Sequence, residues 1–558
     1  MSLVIRFDNL IDTLIISTNA ITNAISNQRN LLVLRGKIRR SLTLCYLIYV
    51  HSPTNRTNFY LDSLSFVNKF LISILFYLGQ TLSILRKVKF VRMATNLGAA
   101  IDFELTNLSE DYNESKPDRN LLGRVPRNIS IYDYLIIGSG PGATQAFETH
   151  KQNNLIAVIE RGGLPRTPIN NHHTFRHLAN DFYNGGQQFI VGRGVHTFSQ
   201  GNVFGGGSEV NAGFYHKLPS HLVDDFSHEF NIESNKWEDN EILVQNLLKP
   251  RQSFADPSRS LISRGASNLG IPFAEIPRWT YLKDDKVCHF GLVESYWQHQ
   301  VKNGDFYLES TIFEITDRLG YFDIGFRDKN GEAKYIKSKR IIFSAGAIDT
   351  PFLLAKFNFI DWKERAFQWH PMQRVLAKTN ESDLGNGFID PFQAWDEHFR
   401  YKFGSSVSTK GLLTFLYGKE ILNENVNLYR SYYISIASDH LGSFINRTKI
   451  PKYILNQSEV EQIRDGISKL AELIKSGGGH LDPRFNSTER RLSLSTVHVF
   501  GTLPMNSRVY IPDTTILKSN PRIQVLDGSI LPKPPFVNPQ GVIMTACKIM
   551  AKLNYEVS

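Results

Sequence analysis

Cysteine and long apolar runs are both scarce in this 558-residue sequence. The three cysteines are Cys45, Cys288 and Cys547. An odd number of widely separated cysteines argues against a disulfide framework and against a cysteine-based zinc site. The most apolar stretch, Phe70–Leu85, has 16 residues and contains Gln80, whereas a membrane-spanning helix needs about 20 apolar residues. No metal site is expected from these residues.

Acidic residues are scarce in residues 1–92, which hold 12 Lys and Arg against 3 Asp and Glu. The remainder holds 51 against 50, so the net charge of +10 belongs to the N-terminal extension. The nearly neutral body is not typical of a nucleic-acid-binding surface. Membrane contact through residues 64–92, a targeting segment, or upstream sequence with Met93 as the true start are all open interpretations. The location, cytoplasmic or membrane-associated, depends on that choice.

The rest of the chain is long enough for about two or three domains. "YDYLIIGSGPGATQAFETH" predicts a buried strand, a glycine turn and a helix. "LIAVIERGG" predicts a second strand, whose apolar run is typical of a parallel sheet covered on both faces. Farther along, two strands are expected around the Asn330-Gly331 turn, followed by a buried strand at Arg340–Ser344.

Residues 356–495 lack this alternation and mix aromatic-rich strands with loops. "SEVEQIRDGISKLAELIK" predicts one helix there, with Ser458 and Glu461 as a capping box. Its expected apolar stripe consists of Val460, Ile463, Ile467, Leu470 and Ile474.

The glycine turn has the pattern of a dinucleotide-binding loop, G-x-G-x-x-[G/A]. Its residues are Gly138, Ser139, Gly140, Pro141, Gly142 and Ala143. A strand precedes it, a helix follows it, and Glu160 closes the next strand 22 positions after Gly138. In such loops the main chain approaches a pyrophosphate at the helix N-terminus, and the acidic residue accepts hydrogen bonds from the ribose. NAD and FAD both satisfy this pattern.

Two further stretches, "NVFGGGSEVNAGFYHKLP" and "RIIFSAGAIDTPFLLAK", favour FAD. With them the sequence resembles the glucose–methanol–choline (GMC) flavin oxidoreductases, in which five motifs occur in the same order between Ile131 and Leu553. The motifs after the glycine turn are Gly206-Gly207-Ser208-x-x-Asn211, Ala345-Gly346-Ala347-x-x-Thr350-Pro351, His498-x-x-Gly501-Thr502, and Asp527-Gly528-Ser529 followed by Asn538-Pro539. The C-terminal stretch is most similar to the sterol-oxidase and polyol-oxidase branches, which use a His–Asn pair.

The resemblance implies an α/β fold with a Rossmann-like FAD-binding domain of the glutathione-reductase type. A discontinuous α+β substrate domain built on an antiparallel sheet should accompany it. The implied segments are 1–92 (extension), 93–130 (lead-in), 131–216, 301–355 and 496–558 (FAD-binding domain), 217–300 (mixed) and 356–495 (substrate domain). The implied FAD-binding residues are Gly138, Ser139, Gly140, Gly142, Ala143, Glu160, Arg161, Gly206, Gly207, Ser208, Asn211, Ala345, Asp527, Gly528 and Pro539.

The resemblance also implies an activity, the oxidation of a CH–OH group by hydride transfer to flavin N5. The donor would be an alcohol, polyol, sugar or sterol, and the electron acceptor oxygen or a quinone-like molecule. His498 would take the hydroxyl proton, for which a histidine pKa is well suited, and Asn538 would bind the same oxygen. Some members attach FAD through a histidine in the glycine loop, but Glu209 and Val210 stand here, so non-covalent FAD is expected.

Three other functions are alternatives to this one. A membrane-attached binding protein that has lost its activity is the first, but the presence of both His498 and Asn538 argues against it. A nicotinamide-dependent dehydrogenase would explain residues 138–160 but not the later motifs. A non-redox lyase or isomerase on the same FAD scaffold would keep every motif, and only substrate-dependent bleaching of the flavin would separate it from an oxidoreductase.

Overall fold

The computed structural model describes residues 129–553, except for 166–176, 178–180, 187, 193–194, 253–255, 284–285, 290, 380–388, 409–412, 414–415, 418–420, 422 and 487–493. The chain divides into two units, residues 1–113 with 410–424 and residues 114–409 with 425–558. The second unit contains the elements that follow. The predicted membrane-contact segment, residues 64–92, lies outside the described residues. Within those residues no helix has both the length and the apolarity to cross a bilayer.

An eight-stranded sheet forms the first layer. Tyr132–Ile137 lies in its centre and pairs in parallel with Ile156–Ile159 on one side and with Ala333–Phe343 on the other. In spatial order the strands are Ile516–Leu517, Asn520–Val525, Ala333–Phe343, Tyr132–Ile137, Ile156–Ile159 and Asp305–Tyr307, and the hairpin Thr311–Arg318 with Tyr321–Arg327 pairs with Ala333–Phe343.

The strand Ala333–Phe343 takes part in two kinds of pairing. Its first half is antiparallel to Tyr321–Arg327, across the turn predicted from Asn330-Gly331, and its second half is parallel to Tyr132–Ile137. The apolar residues of the parallel region are buried on both faces, including Leu135 and Ile341, which have no exposed surface. A continuous apolar run is therefore what this sheet requires.

Helices cover this sheet and the second one. The helix Gln540–Leu553 packs against both Pro141–His150 and Ser234–Leu248. The remaining described α-helices are Ser220–Glu229, Leu261–Leu269, Leu292–Ser295, Asp349–Lys356 and Gln457–Ser476.

The second layer is an eleven-stranded, mostly antiparallel sheet. In spatial order its strands are Ser443–Phe444, Pro451–Lys452, Gln188–Val191, Val195–Phe198, Ser495–Thr496, Met372–Lys378, Tyr429–Ser435, Lys402–Ser405, Phe392–Trp395 and Phe273–Glu275, with His480–Leu481 paired to Met372–Lys378. Two small ribbons complete the strands, Gln368–Trp369 with Val499–Phe500 and Thr280–Lys283 with Lys286–His289. Residues 188–198, inside a segment predicted for the FAD-binding domain, join the second sheet.

The helix Gln457–Ser476 packs on this second sheet, and its predicted cap was wrong. Asn456 and Glu459 form the capping box, each side chain bonding the other's backbone N–H at 2.8 Å. The pair predicted from Ser458 has the same spacing, but asparagine caps a helix as well as serine does. The helix therefore begins at the earlier cap.

Candidate active site

Two glycines of the first turn allow the main chain of neighbouring segments to pass close to the turn. Gly138 has φ +104°, and a Cβ on it would lie 2.2 Å from the carbonyl oxygen of Ser344. A Cβ on Gly142 would lie 2.0 Å from the carbonyl oxygen of Leu526. Both positions therefore require glycine because main chain from the central sheet passes directly over them.

The amino end of helix Pro141–His150 is open to a ligand. Gly140 precedes the helix with no side-chain capping bond, and a Cβ on it would stand 4.0 Å from the nearest atom, Gly206 Cα. A Cβ on Gly207 or Gly346 would meet nothing within 4 Å. Unpaired N–H groups and the helix dipole favour an anion at such a position. These bare main-chain surfaces fit the pyrophosphate of a dinucleotide.

Ser139 connects this turn to Glu160. The Ser139 hydroxyl donates to Glu160 Oε2 at 2.7 Å and accepts from the backbone N–H of Gly205 at 2.9 Å. Glu160 Oε1 accepts from the N–H of Gly162 at 2.6 Å. Burial raises the pKa of Glu160 above its ordinary value, although these hydrogen bonds and the charge of Arg161 oppose the shift. Glu160 thus stands at the end of its strand, next to both glycine segments.

Arg161 is held mainly by protein groups. Its guanidinium donates to both carboxylate oxygens of Asp349, at 3.2 and 3.1 Å, and to Asn202 Oδ1 at 2.8 Å. The guanidinium also lies over the ring of Tyr183, 4.2 Å from its centroid, and Lys449 forms a second ion pair with Asp349. The predicted cofactor role of Arg161 therefore involves a side chain that is already part of an ion-pair cluster.

The second glycine segment forms a tight turn in the left-handed region. Gly205 and Gly206 have φ values of +93° and +64°, and the buried Ser208 hydroxyl donates to the carbonyl of Gly205 at 2.8 Å. Glu209 is buried behind the turn, where burial and the neighbouring Glu294 raise its pKa well above the ordinary value. The turn carries no histidine that could bind a flavin covalently.

Asn211 connects the glycine segment to the last helix. Its amide donates to Gln540 Oε1 at 2.8 Å and its Oδ1 accepts from the N–H of Gly213. Pro539 precedes Gln540, and its carbonyl accepts from Ile543 in the first turn of that helix. The predicted residues Asn211 and Pro539 therefore lie at the same helix end.

The Asp527 carboxylate connects two predicted motifs. It accepts from the N–H of Gly346 at 2.9 Å, from the Thr350 hydroxyl at 2.5 Å and from the N–H of Ser529 at 2.9 Å. The N–H of Ala345 donates to the same Thr350 hydroxyl. Asp527 therefore organises the turn that follows the strand Ala333–Phe343.

Ala143 and Gly528 lie where little room is available for a larger side chain. Ala143 has no exposed surface. A Cβ on Gly528 would approach Ile543 Cδ1 to 3.0 Å, and the Gly528 carbonyl accepts from the N–H of Gly501 at 3.0 Å. This hydrogen bond ties the segment after His498 to the Asp527 turn.

A short strand pair positions His498. Val499–Phe500 pairs antiparallel with Gln368–Trp369, so His370, the next residue, lies beside His498. The N–H of His370 donates to the carbonyl of His498 at 3.2 Å. Two histidines that are distant in the sequence are thus adjacent because of one strand register.

The side chains of four residues form a continuous chain. His498 Nδ1 lies 3.3 Å from His370 Nδ1, and His498 Nε2 lies 3.4 Å from Asn538 Nδ2. On the far side of the amide, Lys402 Nζ donates to Asn538 Oδ1 at 2.7 Å. His498 is 8% exposed and Lys402 is 1% exposed, whereas Asn538 is partly exposed. The structure therefore brings the predicted pair His498 and Asn538 together.

Burial and nearby positive charges keep the histidines of this hydrogen-bond chain neutral. Burial, together with the positive charges of Lys402 and Arg374, lowers the pKa of His498 well below its ordinary value. Burial also lowers the pKa values of His370 and His216, with smaller contributions from His498 and Lys402. Burial alone lowers the pKa of Lys402 to about 7. A neutral His498 is a competent proton acceptor at neutral pH.

Three residues of the site were missed from the sequence, namely His370, Lys402 and Gln540. His370 follows a two-residue strand, and Gln540 opens a helix, so neither belongs to a recognisable pattern. Lys402 carries a weak signal, because "YKFGS" places a lysine within a buried, aromatic-rich strand. A buried lysine without an ion pair is unusual enough to indicate function.

Comparison with known proteins finds one matching family model and several relatives. Residues 132–305 match the model of the family described as GMC oxidoreductase. An uncharacterised GMC-type oxidoreductase, y4nJ, from Sinorhizobium fredii is 24% identical over 472 residues, which cover 74% of this chain and 92% of that protein.

Solved structures of similar fold include two oxidases. Pyridoxine 4-oxidase from Mesorbium loti has a TM-score of 0.57 at 14% identity, over 76% of this chain and 99% of that one. A formate oxidase from Aspergillus oryzae has a TM-score of 0.60 at 11% identity, over 78% of this chain and 99% of that one. At these identities the likeness concerns the fold, and the predicted fold class is confirmed.

Proposed function

We propose, from the membership of this chain in the GMC oxidoreductase family, that His498 takes the hydroxyl proton during oxidation of a CH–OH group. Members of this family are FAD-dependent oxidoreductases that act on CH–OH donors. The observation that carries the proposal is the 3.4 Å contact between His498 Nε2 and Asn538 Nδ2, at the entrance of the last helix. Together these two groups offer one acceptor and one donor to a single hydroxyl oxygen.

The two side chains have complementary tasks in this proposal. The low pKa of His498, caused by burial and by the Lys402 and Arg374 charges, leaves Nε2 unprotonated and able to accept the hydroxyl proton. The Asn538 N–H group binds the oxygen without competing for that proton. Because charge develops on the oxygen as its proton leaves, a donor already pointing at that oxygen lowers the barrier.

FAD supplies the hydride acceptor when it is bound. The residues proposed to hold it surround the open helix end: Gly140, Glu160, Gly207 and Asn211, with the Ala345 and Asp527 turns beside them. Their bare main chain and uncapped helix end fit a pyrophosphate. Glu209 and Val210 occupy the loop positions where a covalent histidine would stand, so we propose non-covalent binding. Acid precipitation should then leave the yellow colour in the supernatant, and flavin retained in the pellet would contradict it.

The substrate class is a small-molecule alcohol. Family members act on small molecules and pass electrons to an acceptor such as oxygen. For this chain we propose an alcohol, polyol, sugar or sterol as donor, with oxygen or a quinone-like molecule as acceptor. Lys402 lies on the second sheet, and His370 and His216 interact electrostatically with His498 and Lys402. We propose that this side of His498 is the substrate side of the site.

Anaerobic mixing of the purified yellow protein with a panel of alcohols, polyols, sugars and sterols tests this function. A good substrate should bleach the flavin absorption band soon after it is mixed with the protein. Product formed without bleaching would instead indicate a lyase or isomerase on the same scaffold. No bleaching and no product with any member of the panel would reject an alcohol substrate of these classes.

A further inference from the structure

We propose that Lys402 sets the direction of the hydrogen-bond chain Lys402–Asn538–His498–His370, and thereby keeps Nε2 of His498 unprotonated and able to accept the substrate proton. Lys402 is a positioning residue in this scheme, because it acts through Asn538. The inference rests on the proposed role of His498 as proton acceptor.

The first step is the orientation of the Asn538 amide. Below its pKa of about 7, Lys402 is an ammonium with three donors and no acceptor, so the Asn538 atom 2.7 Å from Lys402 Nζ is then the carbonyl oxygen. The amide NH₂ group then points the other way, toward His498 Nε2 at 3.4 Å. The opposite amide orientation would place N–H groups against the ammonium, with no lone pair to receive them.

The second step is the tautomer of His498. An NH₂ group can only donate, so Nε2 of His498 must carry the lone pair and Nδ1 the proton. Nδ1 then donates to His370 Nδ1, 3.3 Å away, and His370 carries its own proton on Nε2. That Nε2 is buried and has no hydrogen-bond partner among the described side chains, so it is the free end of the chain. Every contact of the chain is satisfied in this one direction.

The third step concerns why a lysine is buried at this point. Lys402 is 1% exposed, and no carboxylate within the described residues forms an ion pair with it. A buried amine without an ion pair costs stability, so an ion-pair role in folding does not account for it. Its hydrogen bond to Asn538 gives it a function, because a tautomer fixed in advance avoids reorganisation when the proton is transferred.

The tautomer can be measured directly on the full-length wild-type protein with ¹⁵N-labelled histidine. Near pH 6 Lys402 is still charged, since burial lowers its pKa only to about 7, and His498 is neutral. Long-range ¹H–¹⁵N correlation should show the Nδ1–H tautomer for His498 and the Nε2–H tautomer for His370. Signals are assigned by their loss in His498→Ala and His370→Ala. An Nε2–H tautomer of His498 would overturn the proposal, regardless of which substrate the enzyme oxidises.

Substitution of Lys402 adds a kinetic test. Lys402→Met keeps the length of the side chain but removes the donor, so the amide is free to turn over and His498 should show mixed tautomers. The rate of flavin reduction by a good alcohol should fall about tenfold, the scale of one hydrogen bond to a charged group. Lys402→Arg should recover part of this loss because it restores a donor. Lys452→Met, an exposed lysine of the same sheet, is the matched control and should react at the wild-type rate.

The outcomes separate this inference from the proposed function. If wild-type flavin is reduced and Lys402→Met is reduced equally fast with an unchanged His498 tautomer, Lys402 is not the positioning residue. If no alcohol reduces the wild-type flavin, the proposed function fails, yet the tautomer measurement still decides the inference. A Lys402→Met protein that does not fold leaves the wild-type tautomer as the deciding observation.

Discussion

Replacement of His498 by alanine is the sharpest test of the site. The imidazole is 8% exposed and its two nitrogens make only long contacts, 3.3 Å to His370 and 3.4 Å to Asn538. Losing two such hydrogen bonds costs about 2 kcal/mol of folding stability, and the cavity left by the buried ring adds to that cost, against a typical total of about 5–15 kcal/mol. The variant should therefore remain folded. FAD should remain bound too, because the open helix end and the glycine segments that fit it do not include this side chain.

The catalytic effect should be much larger than the structural one. Loss of a general base typically slows proton transfer by about 10²–10⁴-fold, equivalent to about 3–5 kcal/mol of activation free energy. Flavin reduction is followed by anaerobic rapid mixing, and stability by thermal unfolding of the same preparations. The loss should shrink at high pH, where the alcohol releases its proton more easily. His480→Ala, an exposed histidine of the second sheet, is the control and should reduce its flavin normally.

Two results would refute the reasoning. Full-speed flavin reduction in His498→Ala would show that another group accepts the proton. Loss of FAD or of the folded state in this variant, with His480→Ala intact, would show that His498 is a structural residue of the buried core.

Three further predictions concern the surrounding residues. Asn538→Ala removes one donor but leaves the proton acceptor, so flavin reduction in rapid mixing should fall about tenfold; a loss equal to that of the histidine variant would contradict a separate role. Although burial raises it, the charges of Arg161 and a neighbouring lysine hold the pKa of Asp349 below its ordinary value. Asp349→Asn should therefore lower the free energy of unfolding by about 3 kcal/mol at neutral pH. This difference is complete above the unfolded pKa of about 4 and is lost as the pH falls toward the native pKa; equal stability of the two proteins in urea at neutral pH would reject it. Gly207→Ala should keep the unfolding temperature of the cofactor-free protein but weaken FAD binding in a titration, because its Cβ meets no protein atom. Gly142→Ala should destabilise the fold itself, because its Cβ would collide with main chain; the reverse ranking of the two glycine variants would contradict this assignment.

The sequence alone was sufficient for the features that depend on neighbouring residues. A glycine turn between a buried strand and a helix has a fixed local geometry, so Gly138, Gly140 and Gly142 could be recognised without knowing what lies above them. The acidic end of the second strand follows from the same unit. The helix Gln457–Ser476 was also predictable, but its cap was misplaced because two pairs of equal spacing compete within a few residues.

Only the tertiary structure brought the proposed catalytic chain together. Lys402, Asn538, His498 and His370 come from separate strands and loops, and their contacts depend on which strands pair and in which register. A shift of one residue in a strand would turn a side chain to the opposite face, and nothing in the local sequence of Lys402 or His370 specifies that register. The burial that lowers the pKa values of these groups is likewise a property of the packed sheets. The residue types proposed to perform the chemistry are thus identifiable in the sequence, whereas their orientation and protonation arise only when distant strands pair and exclude water.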